Sequence, residues 1–584
     1  MKKSTLLFFY LLPLAVAAQV KIIDNPDYRF KNTGLETISR IELHDTITKV
    51  HIHVTFLPGW WIEFYPTDFI KPVESDKRYY LLGIENQEMH THLSTPSGVA
   101  DYVLLFPPLE KSVKEIHYGD MKNNQEVISI FNISLEKSFD STRYQKFRKI
   151  PAPIAKRLKN EVKAKRKIKP VDFDSDTFFN PAPSRLVGFI KGYSGDTIQT
   201  YPIFYRDLNG NFQSFPLKLH SNGYFEADIN IEHPKILSFS LLKSGKVSFY
   251  IEPGHTLSMI LDWEDILDGD RYRNRQYIFT KTEFDGTLAN VNRDLLKQTI
   301  YKPNWSDIDS RMKKMSPVEL QKDLENRIND NLKALQETDG KSPLCPKAKR
   351  LIENEIKMSA LSELLLSSMY YMQRENEGNE VPLSTDYYSP LKMVTNDRSL
   401  LSVVSADQML SSLNNAGIFF RPGNIYRPEF KPEQTFEEYL LEKGVVLSEE
   451  TIRLLPLIQK SLEVPNGKVN EELVKEIKEN SKAIEQVLQI HINEFMAYHK
   501  KYTKLDPIGD YKINLQKRDE ILTDSLGIDG ILKDIFIYRT HNTWLRAHPN
   551  LPSEDKSSMT KIVRDKLSDP FLKEAISKIL FPLR

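Results

Sequence analysis

Four histidines, a tryptophan pair and one cysteine are the residues whose types and spacing could do chemistry in this chain. His51 and His53 alternate with Val50, Ile52 and Val54, so both imidazoles fall on one face of an expected strand. His90 and His92 repeat that spacing in a loop or strand edge, with Glu88 just upstream. Two such imidazoles and a third ligand would form a zinc donor set. Either pair alone is half of that set, so no metal and no other cofactor is assigned. Trp60 and Trp61, in PGWWIEF, are a possible platform for a flat ligand. Neighbouring strand residues point to opposite faces, so at most one of the two is expected in a core. Cys345 is the sole cysteine and stands in SPLCPKAK near an expected helix start. Helix N-termini lower thiol pKa values, but the plainer expectation is a half-buried, unreactive thiol. With one cysteine the chain forms no internal disulfide and carries no resolving thiol for two-cysteine exchange.

Other signatures are missing or fail. The chain has no G-x-S-x-G elbow, no G-x-x-x-x-G-K loop, no H-E-x-x-H and no G-x-G-x-x-G. Asp207, Asn209 and Asn211 imitate the start of a calcium loop, yet Lys218 stands where the bidentate glutamate belongs. That stretch reads as a hairpin turn. No catalytic residue is assigned.

The elements that must position these residues follow from periodicity. Residues 19–138 alternate apolar and polar in short runs such as Val50–Phe56, Tyr102–Leu109 and Glu126–Leu135. They predict an N-terminal β-sandwich of immunoglobulin-like kind. Residues 139–184 read as a basic linker, with eleven Lys or Arg and one acid between Lys146 and Lys169. A solvated spacer is expected there unless it meets envelope phosphates or an acidic partner. Residues 185–285 predict a second β-sandwich, with Asn209-Gly210 and Asn222-Gly223 hairpins and a Glu252-Pro253-Gly254 turn before a return strand through Leu257, Met259 and Leu261. From 286 to 584 the period becomes helical. Ser316-Pro317-Val318-Glu319 is a capping box. Apolar stripes run over Leu361–Met372 and over Leu473, Ile477, Ile484, Leu488, Ile492 and Phe495, the latter expected on one long helix with Leu488 in the core.

Composition sets the class. The 584 residues leave room for three or four domains, and 80 basic against 79 acidic residues give a net charge of +1. Nothing in that balance favours nucleic acid. Lys2 and Lys3, the apolar run Leu6–Leu14 and Val16-Ala17-Ala18 predict a signal peptide over 1–18, cleaved before Gln19. No later run is long and apolar enough to span a bilayer. The mature chain is therefore expected in the periplasm or outside the cell.

Laid out this way, the chain resembles the multidomain thioredoxin-like disulfide reductases of the bacterial envelope, TlpA/ResA-type, in their long form. The matching residues are Pro58, Gly59, Trp60 and Trp61; Phe106, Pro107, Pro108 and Leu109; Glu252, Pro253 and Gly254; and Phe284, Gly286, Ala289 and Asn292. In that family the helical region leads into a thioredoxin domain with a W-C-x-x-C site, and no such motif occurs here. What the resemblance implies is the family's accessory body without its redox centre. The expected function is that of an exported, non-catalytic envelope protein acting by protein or ligand binding. Its partner would be an envelope protein, including a separate thioredoxin-like one. Two alternatives stand beside it: the N-terminal part of a split thiol–disulfide oxidoreductase, and a glycan binder using Trp60 or Trp61.

Overall fold

The strands of the first β-unit are short and two-faced, and they close on each other through one shared core. In this computed structural model they are β1 (Lys21–Asp24), β2 (Phe30–Lys31), β3 (Glu36–Leu43), β4 (Thr48–Thr55), β5 (Trp60–Ile62), β6 (Asp68–Pro72), β7 (Tyr79–Tyr80), β8 (Gly83–Ile84), β9 (Leu93–Thr95), β10 (Val99–Phe106), β11 (Glu115–Lys122) and β12 (Gln125–Ser134). The structure describes residues 20–195, 198–243, 245–271, 277–297, 305–376, 383–394, 396–421, 424, 426, 428–464, 471–504 and 506–579. The expected signal peptide, 1–18, lies outside the described residues. One five-stranded sheet has the order β1-β3-β4-β10-β8 and the other β2-β12-β11-β6-β7. Val50, Ile52 and Val54 of β4 alternate inward as the sequence predicts, and meet Ile70, Ile116, Tyr118 and Ile130 of the facing sheet in one cluster.

The basic stretch is not a solvated spacer. It forms α1 (Ser141–Phe147) and α2 (Ala152–Lys165). Ile154, Leu158 and Val162 recur every four residues on α2 and are buried, while the lysines between them stay exposed. Ile154 and Leu158 pack on Val187 and Phe189 of the next strand and on Tyr224. Residues 171–179 then pass against the sheet and the helices, with Phe173, Phe178 and Phe179 all buried. Eleven positive charges in sequence thus concealed one apolar helix face and three phenylalanine anchors.

The second β-unit comprises β13 (Ala182–Lys191), β14 (Gln199–Arg206), β15 (Phe212–Leu219), β16 (Tyr224–Ile231), β17 (Lys235–Phe239), β18 (Val247–Ile251), β19 (Thr256–Asp262) and β20 (Glu283–Asp285). Two stacked sheets were expected; the strands instead hydrogen-bond into one sheet of order β18-β17-β14-β15-β16-β13-β19-β20. Both Asn-Gly turns form, with Gly210 at φ +80° and Gly223 at φ +83°, a region only glycine enters freely. The turn at Glu252–Gly254 does not close a hairpin. β19 runs parallel to β13, so β18 and β19 are six strand positions apart. In a flat sheet that is about 29 Å, whereas the five Cα steps from Ile251 to Thr256 reach at most about 18 Å. The sheet therefore has to curl into a half-barrel. β13 is buried on both faces: Leu186 and Ile190 face the curl, while Val187 and Phe189 lie under α2.

Two helices tie the units together: α3 (Trp263–Arg271), which follows β19 directly, and α4 (Ala289–Leu295). The buried Trp263 donates its indole N–H to the Lys31 carbonyl at 2.9 Å, and Asp270 accepts the Gly34 N–H at 2.9 Å. Asn292 of α4 bonds both backbone groups of Tyr250, so a side chain completes the edge of β18.

The helical region holds α5 (Trp305–Lys314), α6 (Pro317–Lys341), α7 (Pro346–Asn376), α8 (Ala406–Asn414), α9 (Phe436–Glu442), α10 (Glu449–Leu462), α11 (Glu471–Glu479), α12 (Ser481–Ile490), α13 (Ile492–Tyr502), α14 (Pro507–Glu520), α15 (Ile531–Ala547), α16 (Ser553–Lys566) and α17 (Pro570–Ile579). The Ser316/Glu319 capping box forms reciprocally at α6. Most of these helices share one continuous core with the curled sheet. α9, α10, α12 and α13 enclose a separate core around Phe436, Leu454, Val487 and Tyr498. The single long helix expected over 471–500 is three helices, broken at Asn480 and His491. The breaks rotate the stripe: Val487 is buried, Leu488 only half-buried and Ile492 exposed. No helix among the described residues is long and apolar enough to cross a membrane.

Gly34 tests the junction between the first unit and α3. A Cβ there would lie 1.9 Å from the Leu267 carbonyl oxygen. Gly34→Ala is expected to cost about 1–3 kcal/mol, read as a lower urea midpoint and faster hydrogen exchange along α3. Unchanged exchange in α3 would contradict this tight docking.

Candidate functional site

A two-stranded ribbon brings one histidine pair to the tryptophans. Gly59, at φ +78°, turns the chain into β5. β5 pairs with β9 in the register Trp60↔Thr95, Trp61↔Ser94 and Ile62↔Leu93. Ile62 and Leu93 are buried and anchor the ribbon to the first core. Trp60, Trp61 and the following Tyr65 remain 37%, 46% and 38% exposed. Neither tryptophan is a core residue: the ribbon is a two-stranded sheet of its own, and its Ile62–Leu93 pair is the one that turns into the core.

His90 and His92 join this surface through their rings. His92 stacks on Trp61 with centroids 3.7 Å apart and planes 13° apart. His90, at φ +58°, meets Tyr65 edge-on at 5.5 Å. Trp60 makes an edge contact with Phe56 at 5.6 Å, and the Tyr65 hydroxyl donates to Glu63 at 2.7 Å. His51 and His53 lie on a strand face elsewhere, beside Glu42 at 3.1 Å and Asp101 at 2.9 Å. Burial raises the Glu42 carboxyl, but hydrogen bonds from His44 and His51 outweigh it and hold the group below its usual range. The two histidine pairs do not converge. Among the described residues no cluster of three or more His, Cys, Asp or Glu side chains could hold a metal ion.

Cys345 is half-buried just before α7, and its backbone N–H donates to Asp294 at 2.7 Å. Burial is the largest influence on its thiol, and the Asp294 carboxylate adds to it. Together they outweigh the Ala348 amide and push the thiol pKa up, the opposite of an activated nucleophile.

A cleft of about 520 Å³, for which no motif stands in the sequence, lies between the Asn209-Gly210 hairpin, α8, α14 and α15. Its charged lining residues are Arg518, Arg539 and Arg546. A signal was present: α14 carries Tyr511 and Arg518, and α15 carries Arg539 and Arg546, each pair seven residues apart and so on one helix face. Nothing in the sequence placed those two faces together. Searches against models of known families, curated proteins and solved structures returned no match for this chain.

The ribbon is braced from behind by an ionisable turn. Asp68 of β6 accepts the Tyr65 N–H at 3.1 Å, and its own N–H returns to the Tyr65 carbonyl at 2.9 Å. Burial first, then the Glu36 and Asp120 carboxylates, raise the Asp68 pKa to about 8. A carboxyl raised from about 3.9 in the unfolded chain adds stability fully below about pH 4. That contribution is lost as pH rises through about 8. The first unit is expected to lose a few kcal/mol, at order of magnitude, between pH 4 and pH 9, with the steepest fall between about pH 5 and pH 7 and a levelling-off above about pH 8. Melting curves across that range should show Asp68→Asn largely abolishing the drop. An equal drop in the variant would contradict the assignment.

Proposed function

We propose that this chain is an exported, non-catalytic protein of the cell envelope that works by binding a partner protein, with the Trp60–Trp61 ribbon as its contact surface. The observation that carries the reading is the exposure of two adjacent tryptophans on a ribbon whose other side is anchored. Tryptophan and tyrosine dominate binding hot spots because they bury much area with few rotatable bonds. A cluster of them held in water on a rigid support marks a surface that something else covers.

The first unit is taken as an immunoglobulin-like carrier of this surface. The likeness of the sequence to the accessory body of thioredoxin-like envelope reductases supports an envelope protein, including a separate thioredoxin-like one, as the partner. Export rests on the signal-peptide pattern of residues 1–18. The raised Cys345 thiol disfavours the split-reductase alternative as a source of chemistry in this chain.

A photo-crosslinking residue at position 61, compared with one at the exposed Tyr80, is the test. The expected result is a discrete crosslinked protein in the envelope fraction from position 61, lost with Trp60→Ala and absent from position 80. Identical patterns from both positions, or labelling of glycan alone, would overturn the proposal. So would reduction of insulin disulfides by the purified chain without added thioredoxin.

A further inference from the structure

The cleft between the curled sheet and the helices carries charge that its own walls do not neutralise. Arg518 reaches it from α14; its guanidinium donates to Asn414 Oδ1 at 3.1 Å and lies 5.2 Å and 5.8 Å from the ring centres of Phe419 and Phe536. Arg546 reaches it from α15 and donates to Asn211 Oδ1 of the hairpin. Among the described residues neither is in an ion pair with a carboxylate. Arg539 is paired with Asp407 at 2.8 Å, but Lys235 shares that carboxylate at 3.1 Å. The Asp207 carboxylate turns into its own hairpin, accepting from Asn211 and Gln213. Among the described residues that line the cleft, the charged ones are arginines alone.

The remaining lining is suited to hydroxyl groups. Asn209, Asn414, Asn514 and Thr543 line the walls. Asn209 is one of the lining residues, and its Oδ1 is buried without a hydrogen-bond partner among the described residues. Tyr511 and Trp544 stack at 4.4 Å and 13° and make a rigid, uncharged floor. Behind them His541 is held neutral, because burial lowers its pKa to about 4. A space of about 520 Å³ suits a ligand of one or two sugar rings.

We propose that this cleft binds a small hydroxylated oxyanion, a sugar acid or a sugar phosphate, through the guanidinium groups of Arg518 and Arg546. A planar guanidinium matches carboxylate and phosphoryl oxygens in two parallel hydrogen bonds. The asparagine amides and the Asn209 oxygen then pair with the ring hydroxyls. This assignment is independent of the Trp60–Trp61 surface, so Trp60→Ala leaves it intact.

Calorimetric titration of the full chain with glucuronate, glucose 6-phosphate, inorganic phosphate and glucose tests the proposal. Glucuronate or glucose 6-phosphate is expected to bind at least about tenfold more tightly than glucose and than inorganic phosphate. The tighter of the two names the oxyanion as carboxylate or phosphoryl. Arg546→Gln, at an exposed position, is expected to weaken that binding at least about tenfold with the unliganded melting temperature unchanged. Arg518→Lys, which keeps the charge and drops the planar fork, should lose part of it. No binding by any probe, glucose binding as tightly as the acids, or acid binding that survives both substitutions would overturn the proposal.

Discussion

The carboxylate of Glu252 is wholly buried, and three separate stretches of chain meet on it. It accepts from the Tyr250 hydroxyl at 2.8 Å, the Val171 N–H at 2.5 Å and Lys347 Nζ at 2.5 Å. Lys347 also donates to the Val171 carbonyl at 2.5 Å and sits 4.9 Å from the Phe173 ring centre. Removing these two charges from water costs several kcal/mol per ion, which only close pairing and full hydrogen bonding can offset. The Glu252 turn, the stretch that begins at Val171 and the first turn of α7 must therefore arrive together or not at all. That requirement fixes the β18–β19 turn, and the turn forces the sheet to curl.

The curl decides where function can sit. A flat sheet would present the Asn209-Gly210 hairpin to solvent. Curled, and joined to α7 at Glu252, it brings that hairpin against α15, where Arg539 donates to the Leu208 carbonyl at 3.0 Å and Arg546 to Asn211. The arginine cleft is a product of this meeting of sheet and helices, and no single segment contains it. The aromatic ribbon belongs to the first unit. That unit is held to the second by Trp263 and Gly34, so the two surfaces share one frame but draw on different local anchors.

Local signals in the sequence were read well and long-range ones poorly, for physical reasons. The alternation of Val50, Ile52 and Val54, the two Asn-Gly turns and the Ser316/Glu319 box each report on a few neighbouring residues, and each formed. The Glu252–Gly254 turn was recognised as a turn, but its strands part to opposite ends of the sheet, which depends on pairing with the distant β13. The basic stretch was misread because Ile154, Leu158 and Val162 are only three residues among many lysines, yet they define the buried face. The tryptophan pair of the sequence lies exposed on the ribbon, and His90 and His92, whose spacing suggested metal ligands, lie against it through their rings. The arginine cleft combines a hairpin near residue 210 with helices near 411, 518 and 546, a separation that period and spacing do not register.

The joining of sheet and helices through Glu252 is most directly tested by a double-mutant cycle with Glu252→Gln and Lys347→Met, followed by urea unfolding. Each single change should cost about 3–5 kcal/mol, because it leaves a buried group without its partner. The double change should cost at least about 2 kcal/mol less than the sum, and sheet and helix signals should be lost in one transition. Additive losses within about 0.5 kcal/mol, or helices that melt apart from the sheet in the unsubstituted protein, would contradict it.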